Sequence, residues 1–361
     1  MRLPAPGLVT LLVLIPGFVA CRGADGPGEA EVALADADLP RVERVRSLLE
    51  DLAADSMLGR RAGTEGEHRA VRMLEAELAR YGVEPAGTDG YRQPVPLEVG
   101  EDGRIRPPAL GTDVSTLGPE QRATGYNVLG LIPGSDPELA AEIVVVGAHH
   151  DHVGVGAAAE GDSIYNGADD DASGSVAALE IARHFAAARA RGEGAPRTIL
   201  VAFFTAEEMG LYGTRLWIEN PTVDFASIVA DLQIEMIARP DSVSGGFGHG
   251  WLTGYERSTM GDILAAQGSP IVPDPRPEQR FFFRSDNLPF AQRGIPAHTL
   301  SSFNLHGDYH RPSDEAGRAD YPHMTALIEA AIEMLDALAS GPTPEWKPGG
   351  QPDFGPGAGG R

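Results

Sequence analysis

Three short runs concentrate the side chains able to bind cations or move protons: Ala148-His149-His150-Asp151-His152, Gly167-Ala168-Asp169-Asp170-Asp171-Ala172-Ser173-Gly174 and Thr205-Ala206-Glu207-Glu208-Met209-Gly210. The first follows an apolar stretch, Glu142 to Gly147, that reads as a strand. Alternation along an extended segment puts His149 and Asp151 on one side and His150 and His152 on the other. Asp151 can then fix the imidazole of His149. Alone, this cluster suits a metal or a satisfied structural histidine about equally. The three successive acids of the second run repel one another and demand a cation if buried. Exposed, they would only favour the N-terminus of the following helix, a reading that stays open for Asp171. In the third run two glutamates follow another apolar stretch, Thr198 to Phe204. Such a pair can divide its labour, one on a metal and one exchanging protons; a surface loop is the alternative.

Elements that hold these runs are legible around them. Asn127 to Ile132, Glu142 to Gly147, Thr198 to Thr205, Ser227 to Ile234 and Ala297 to Leu300 are apolar and β-branched enough for strands buried on both faces. Helices are expected over Gly174 to Ala190, Leu211 to Asn220, Thr259 to Gln267 and Pro322 to Ala339. Upstream, Val42, Val45, Leu48, Leu49 and Leu52 recur at helical spacing. A second helix follows, with Thr64 and Glu67 as a capping-box pair, Ala70, Met73, Leu74 and Leu78 as its stripe, and Gly82 at its end. Strands alternating with helices imply an α/β fold, a three-layer α/β/α sandwich with a mostly parallel mixed central sheet. Strand ends are where such sheets collect ligands, and two of the three polar runs sit there.

With 42% hydrophobic and 22% charged residues, the 361-residue chain can bury a full core, and one large domain over 40–340 is the simplest division. A formal net charge of -23 excludes nucleic acid as a partner, since no clustered Lys/Arg is available to displace counterions. Arg2 and the apolar run Leu8 to Ile15 read as a signal peptide over 1–20, too short to span a bilayer. Cys21, the only cysteine, follows Phe18-Val19-Ala20. That segment resembles the lipobox of bacterial lipoproteins, although Phe18 stands where an aliphatic residue is usual. The resemblance implies an exported, lipid-anchored protein facing the periplasm or exterior; a plain signal peptide would give a secreted one. Residues 21–39 read as a flexible tether and 341–361 as a loose Pro/Gly-rich tail.

In order and spacing, Gly147-Ala148-His149-His150-Asp151-His152-Val153-Gly154, the acidic turn 167–174 and Thr205-Ala206-Glu207-Glu208-Met209-Gly210-Leu211-Tyr212-Gly213 resemble the M28 family of zinc peptidases. Glu235-Met236-Ile237 and Tyr309-His310-Arg311-Pro312-Ser313-Asp314 look like its remaining metal motifs, and Gly59-Arg60-Arg61-Ala62-Gly63-Thr64 matches an upstream segment. The resemblance implies two zinc ions, for which manganese or cobalt can substitute. Asp170 would bridge them, His149 and Glu235 would complete one ligand set, and Glu208 and His310 the other. Glu207 would be the general base, Tyr309 would stabilise the oxyanion, Asp151 would orient His149, and Asp314 would orient His310. The substrates implied are peptides, with release of N-terminal residues as the expected activity. Glu235 departs from the aspartate common in the aminopeptidases, which brings carboxypeptidase activity into consideration. Glutaminyl cyclases share the fold with a reduced metal requirement, and an inactive tethered binding module would need neither ligands nor base. Retention of the whole ligand set and of Glu207 favours hydrolysis. Trp251, Tyr255 and Phe281-Phe282-Phe283 are pocket walls or core; Ser285 and Asp286 receive no role.

Overall fold

The computed structural model describes Met1 and residues 39–352, and residues 40–352 form one compact unit; the end of the expected tail, residues 353–361, lies outside the described residues. Cys21, the apolar run before it and the expected tether up to residue 38 lie outside the described residues. In chain order the strands are β1 (Glu84–Pro85), β2 (Arg92–Val99), β3 (Ile105–Arg106), β4 (Arg122–Ile132), β5 (Ile143–His149), β6 (Gly154–Ala159), β7 (Asp162–Tyr165), β8 (Thr198–Phe204), β9 (Ile228–Ile234), β10 (Gly250–Leu252), β11 (Ile271–Pro273) and β12 (Ala297–Ser301). The α-helices are α1 (Arg41–Leu52), α2 (Glu65–Tyr81), α3 (Gly174–Ala190), α4 (Tyr212–Glu219), α5 (Met260–Gln267), α6 (Asn287–Gln292) and α7 (Tyr321–Ser340).

Ten strands make one mixed sheet in the order β11-β10-β12-β9-β5-β8-β4-β2-β3, with β1 added to β4; β6 and β7 form a separate hairpin. The central strands β12, β9, β5 and β8 run parallel, and antiparallel pairings begin at β10 on one side and β4 on the other. The parallel strands are buried on both faces, so their sequences are continuously apolar. Val144 and Val146 of β5, with Ile199, Val201 and Phe203 of β8, point into one core against α1, α2, α3 and α7. Ile143, Val145, Leu200, Ala202 and Phe204 point into the other, against Trp217 and Ile218 of α4 and Phe290 of α6. Two apolar layers sandwiching the sheet bear out the expected three-layer fold. Parallel strands place all four carboxyl ends on one edge, and that edge carries the polar runs.

Two local expectations are corrected. Thr64 and Glu67 form no capping box: the Thr64 hydroxyl donates to the Arg61 carbonyl, while Glu67 is buried and accepts from the backbone N–H groups of Gly63 and Tyr126 and from the Thr205 hydroxyl. Glu67 thereby ties α2 to the exit of β8. The tail is not loose from Gly341 onward either. Trp346 bridges to Ser258, packs against Phe282 and His298, and donates from Nε1 to the Gly294 carbonyl at 2.8 Å, and the backbone N–H of Lys347 donates to the Arg257 carbonyl. A large apolar ring inside a Pro/Gly-rich stretch outweighed the composition. Among the described residues, no helix is long and apolar enough to cross a membrane.

Candidate metal centre

Each of the five side chains expected to bind metal leaves the sheet edge or a loop over it. His149 is the last residue of β5, Glu207 and Glu208 follow β8, Glu235 follows β9, and Asp170 lies in the turn that leads into α3. Tyr309 and His310 belong to the connection between β12 and α7. Main-chain positions at the exits are unusual: Ala206, Met236 and His310 have φ of 54°, 53° and 54°, conformations that non-glycine residues adopt at some cost and that recur at functional sites.

The donor atoms converge into two groups sharing Asp170. In one, His149 Nε2 is 3.3 Å from Asp170 Oδ1 and 3.9 Å from Glu235 Oε1. In the other, His310 Nε2 is 3.0 Å from both Asp170 Oδ2 and Glu208 Oε1. Ligands about 2.0–2.1 Å from a tetrahedral zinc ion stand roughly 3.3 Å apart, the scale of these separations. His149 Nε2, His310 Nε2, Asp170 Oδ2 and Glu208 Oε1 are buried and make no hydrogen bond. Buried polar atoms normally find partners, so this donor set fits divalent cations.

Charges support that fit. Burial would raise Asp170, but the imidazoles of His152, His149 and His310 hold it well below the usual carboxylate range. His310 is opposed by burial yet raised to about 10 by Asp170 and Glu208. Without metal, protons on imidazoles would supply the positive charge, and cations would displace them on binding. Burial pushes Glu207 well above the ordinary range, with Glu235, Asp286 and Glu208 adding to it against the pull of His149. Burial likewise raises Glu235 to about 7. The phenol of Tyr309, stacked on His310 at 3.9 Å, is driven upward by burial and then by Asp170, Glu208 and Glu235, so it stays protonated.

Positioning contacts surround the donors. His149 Nδ1 is 3.1 Å from the main-chain oxygen of Asp151, whose carboxylate accepts from the backbone N–H of Glu207 at 3.0 Å. Asp151 thus links the first and third runs through its own backbone and side chain. Asp314 accepts from the N–H groups of Asp169 and Asp170 and is held by Arg239, so it shapes the acidic turn rather than touching His310. Asp171 is not the exposed N-cap considered for it: it is buried, accepting from Gly174 N at the start of α3 and from Met236 N. The Met236 contact ties the second run to the exit of β9.

Several residues at the site escaped the sequence reading. His152 lies 2.8 Å from Glu208 Oε1 and joins Asp170, Glu208 and His310 in one four-donor group, instead of facing away. Parity fails because β5 ends at His149, and alternation does not extend to the residues beyond it. Arg60, fully buried, donates to the carbonyls of Leu52, His150, Asn166 and Gly167, clamping two of the runs together. Ser285 lies against Glu235, and Asp286, bonded to Thr214, is buried and raised to about 6, first by burial. Their only sequence signal was the upstream and downstream family-like segments. A small cleft of about 50 Å³ opens beside Glu207 and Glu235, walled by Met236, Trp251, Phe281 and Phe303. Trp251 and Phe281 are therefore pocket walls, whereas Phe282 belongs to the core.

Comparison with known proteins places this arrangement. A model of "Peptidase family M28" matches residues 127–335. Leupeptin-inactivating enzyme 1 of Streptomyces exfoliatus is 33% identical over 181 residues, 50% of this chain and 36% of that protein. The probable glutamate carboxypeptidase AMP1 of Arabidopsis thaliana is 33% identical over 138 residues, 38% of this chain and 18% of that one. The chain thus spans about a third and about a fifth of the length of these two relatives. The solved structure of Legionella pneumophila LapA aminopeptidase superposes with a TM-score of 0.57 at 18% identity, covering 87% of this chain and 76% of that one, a likeness of fold.

Proposed function

The chain belongs to peptidase family M28, and from that membership we propose that it is an exopeptidase working with two zinc ions and releasing residues from the free N-terminus of peptides. The observation that carries this reading is the meeting of buried donor atoms from His149, Asp170, Glu208 and His310, which face only one another, with Glu207 beside them. His149, Asp170 and Glu235 would hold one ion, and Asp170, Glu208 and His310 the other. Bound there, zinc supplies Lewis acidity toward the scissile carbonyl and draws the pKa of water toward neutrality.

The protein's own groups do the rest. Glu207, its backbone pinned by Asp151, takes the proton of the attacking water on its carboxylate and returns it to the departing amine. A buried carboxyl with raised proton affinity suits a group that must hold that proton between two transfers. Tyr309 donates toward the carbonyl oxygen as negative charge grows there. Asp151 keeps His149 and Glu207 in register. Apolar walls at Met236, Trp251, Phe281 and Phe303 favour an apolar side chain on the residue released.

A carboxypeptidase reading draws on Glu235 and on a second feature. Arg284, at the rim of the cleft, sits over the Phe281 ring and has no carboxylate partner among the described residues, so it can meet a substrate's terminal carboxylate. Metal analysis with a panel of N-blocked, N-free and C-amidated peptides separates the two. The expected outcome is about two zinc ions per chain and cleavage of N-free peptides and aminoacyl-nitroanilides, abolished by chelation. Cleavage of acetylated peptides that amidation prevents would give the carboxypeptidase; one metal with pyroglutamate formation would give a cyclase. Material that binds no transition metal sinks all three. We also infer export with anchoring through Cys21, supported by Arg2, Leu8 to Ile15 and the position of the cysteine.

A further inference from the structure

We propose that His152 is itself a metal ligand, so that the two halves of the centre are unequal: a closed site of four protein donors, His152, Asp170, Glu208 and His310, and an open one of three, His149, Asp170 and Glu235. This rests on the two-metal reading and goes beyond its five-ligand set. His152 is buried; its Nε2 meets no partner, and its Nδ1 meets only carboxylate oxygens of the group. An imidazole withdrawn from water, with one nitrogen unpartnered and the other crowded between carboxylates that His310 also faces, suits a cation held among them. Nδ1 stands 2.8 Å from Glu208 Oε1 and 3.7 Å from Asp170 Oδ2, while His310 Nε2 is 3.0 Å from the same two oxygens. Two imidazoles thus flank one pair of carboxylate oxygens at 2.8–3.7 Å, separations that bracket the roughly 3.3 Å edge of a tetrahedron about a zinc ion.

The backbone holds that ring in place. Its N–H donates to the Arg60 carbonyl, and the Arg60 guanidinium bonds the carbonyls of His150 and Gly167 on either side. Gly167, at φ 57°, leaves the ring its room: a Cβ there would lie 2.4 Å from His152 Cδ2. Four protein donors complete a tetrahedron and retain an ion, whereas three leave a position for water or substrate. The closed site is therefore the tighter of the two, and exchange of metal and chemistry belong to the open site.

The test is zinc titration by competition with a chromophoric chelator, on wild type, His152→Ala and His152→Gln, with X-ray absorption counting imidazoles at one zinc equivalent. Wild type is expected to bind its ions in two separated steps and to show two imidazoles on the first. Both variants should weaken the first step by more than roughly 100-fold, beyond the 10–100-fold that loss of an outer partner costs, and show one imidazole. Glutamine keeps a hydrogen-bonding group for Glu208 but binds zinc poorly, so a His152→Gln protein that loads like wild type would overturn the proposal in favour of positioning. A single imidazole on the first ion of wild type would overturn it even if the variants failed to fold. Wild type that takes up no metal at all would instead remove the two-metal reading.

Discussion

Glu207 and Glu208 are neighbours in sequence with opposite surroundings. Glu208 is pulled below its ordinary pKa by His152 and His310 despite burial, whereas Glu207 is pushed up. The difference arises in one residue step after β8, where Ala206 turns the chain and Asp151 catches the N–H of Glu207. Replacing the base should therefore separate chemistry from binding. Glu207→Gln is expected to retain full zinc loading and its melting temperature while kcat falls by roughly 10²–10⁴-fold, the share of a general base. Near-normal hydrolysis of aminoacyl-nitroanilides by that variant would withdraw the assignment.

At the level of elements, the site depends on how closely α3 approaches the exit of β9. Gly174 opens α3, and a Cβ on it would lie 2.1 Å from the Ile234 carbonyl and 2.4 Å from an Asp171 carboxylate oxygen. Alanine is favoured over glycine in helices by up to about 1 kcal/mol, yet Gly174→Ala should destabilise by about 1–3 kcal/mol because backbone must move. The shift would part Asp170 from Glu235, so denaturant midpoint and zinc affinity should fall together; a stabilised variant with normal affinity would contradict this packing argument. The strands and helices themselves were readable, because two-sided burial leaves continuous apolar runs and α3 spans the expected Gly174–Ala190. What escaped was the turn chemistry. His152 was misplaced because alternation holds only while a strand lasts. Thr64 and Glu67 were misread because a local capping pattern competed with a buried site that only α2, β4 and β8 together create.

On the scale of the whole molecule, charge and protonation shape stability and address. His298 is buried between the Ser258 hydroxyl and the Thr253 carbonyl, 2.7 Å from each, and burial lowers it from 6.5 to about 4. The folded state thus binds fewer protons than the unfolded one between those values. Its contribution is fully present above about pH 6.5 and is lost as pH falls toward 4, about 3 kcal/mol in all. Other buried groups, such as Asp286, titrate with the opposite sign, so the comparison must be with a variant. The destabilisation caused by His298→Gln, measured by urea unfolding, should shrink by about 2 kcal/mol between pH 7 and pH 5; a constant gap would mean the imidazole does not titrate as described. The anchor is tested separately: labelled fatty acid should be incorporated into the wild-type chain and not into Cys21→Ser, and equal membrane retention of both would exclude lipidation.

Composition and pattern alone determined the α/β class, the parallel apolar strands and the three polar runs, since burial on a sheet and clustering of like charges are written residue by residue. Family resemblance then nominated the ligands. Only the tertiary structure decided that the nominated side chains converge, that Asp314 braces a turn, that Arg60 ties two runs through carbonyls, and that His152 faces inward. Those outcomes depend on backbone turns and on distances between segments far apart in the chain, and no local periodicity encodes them.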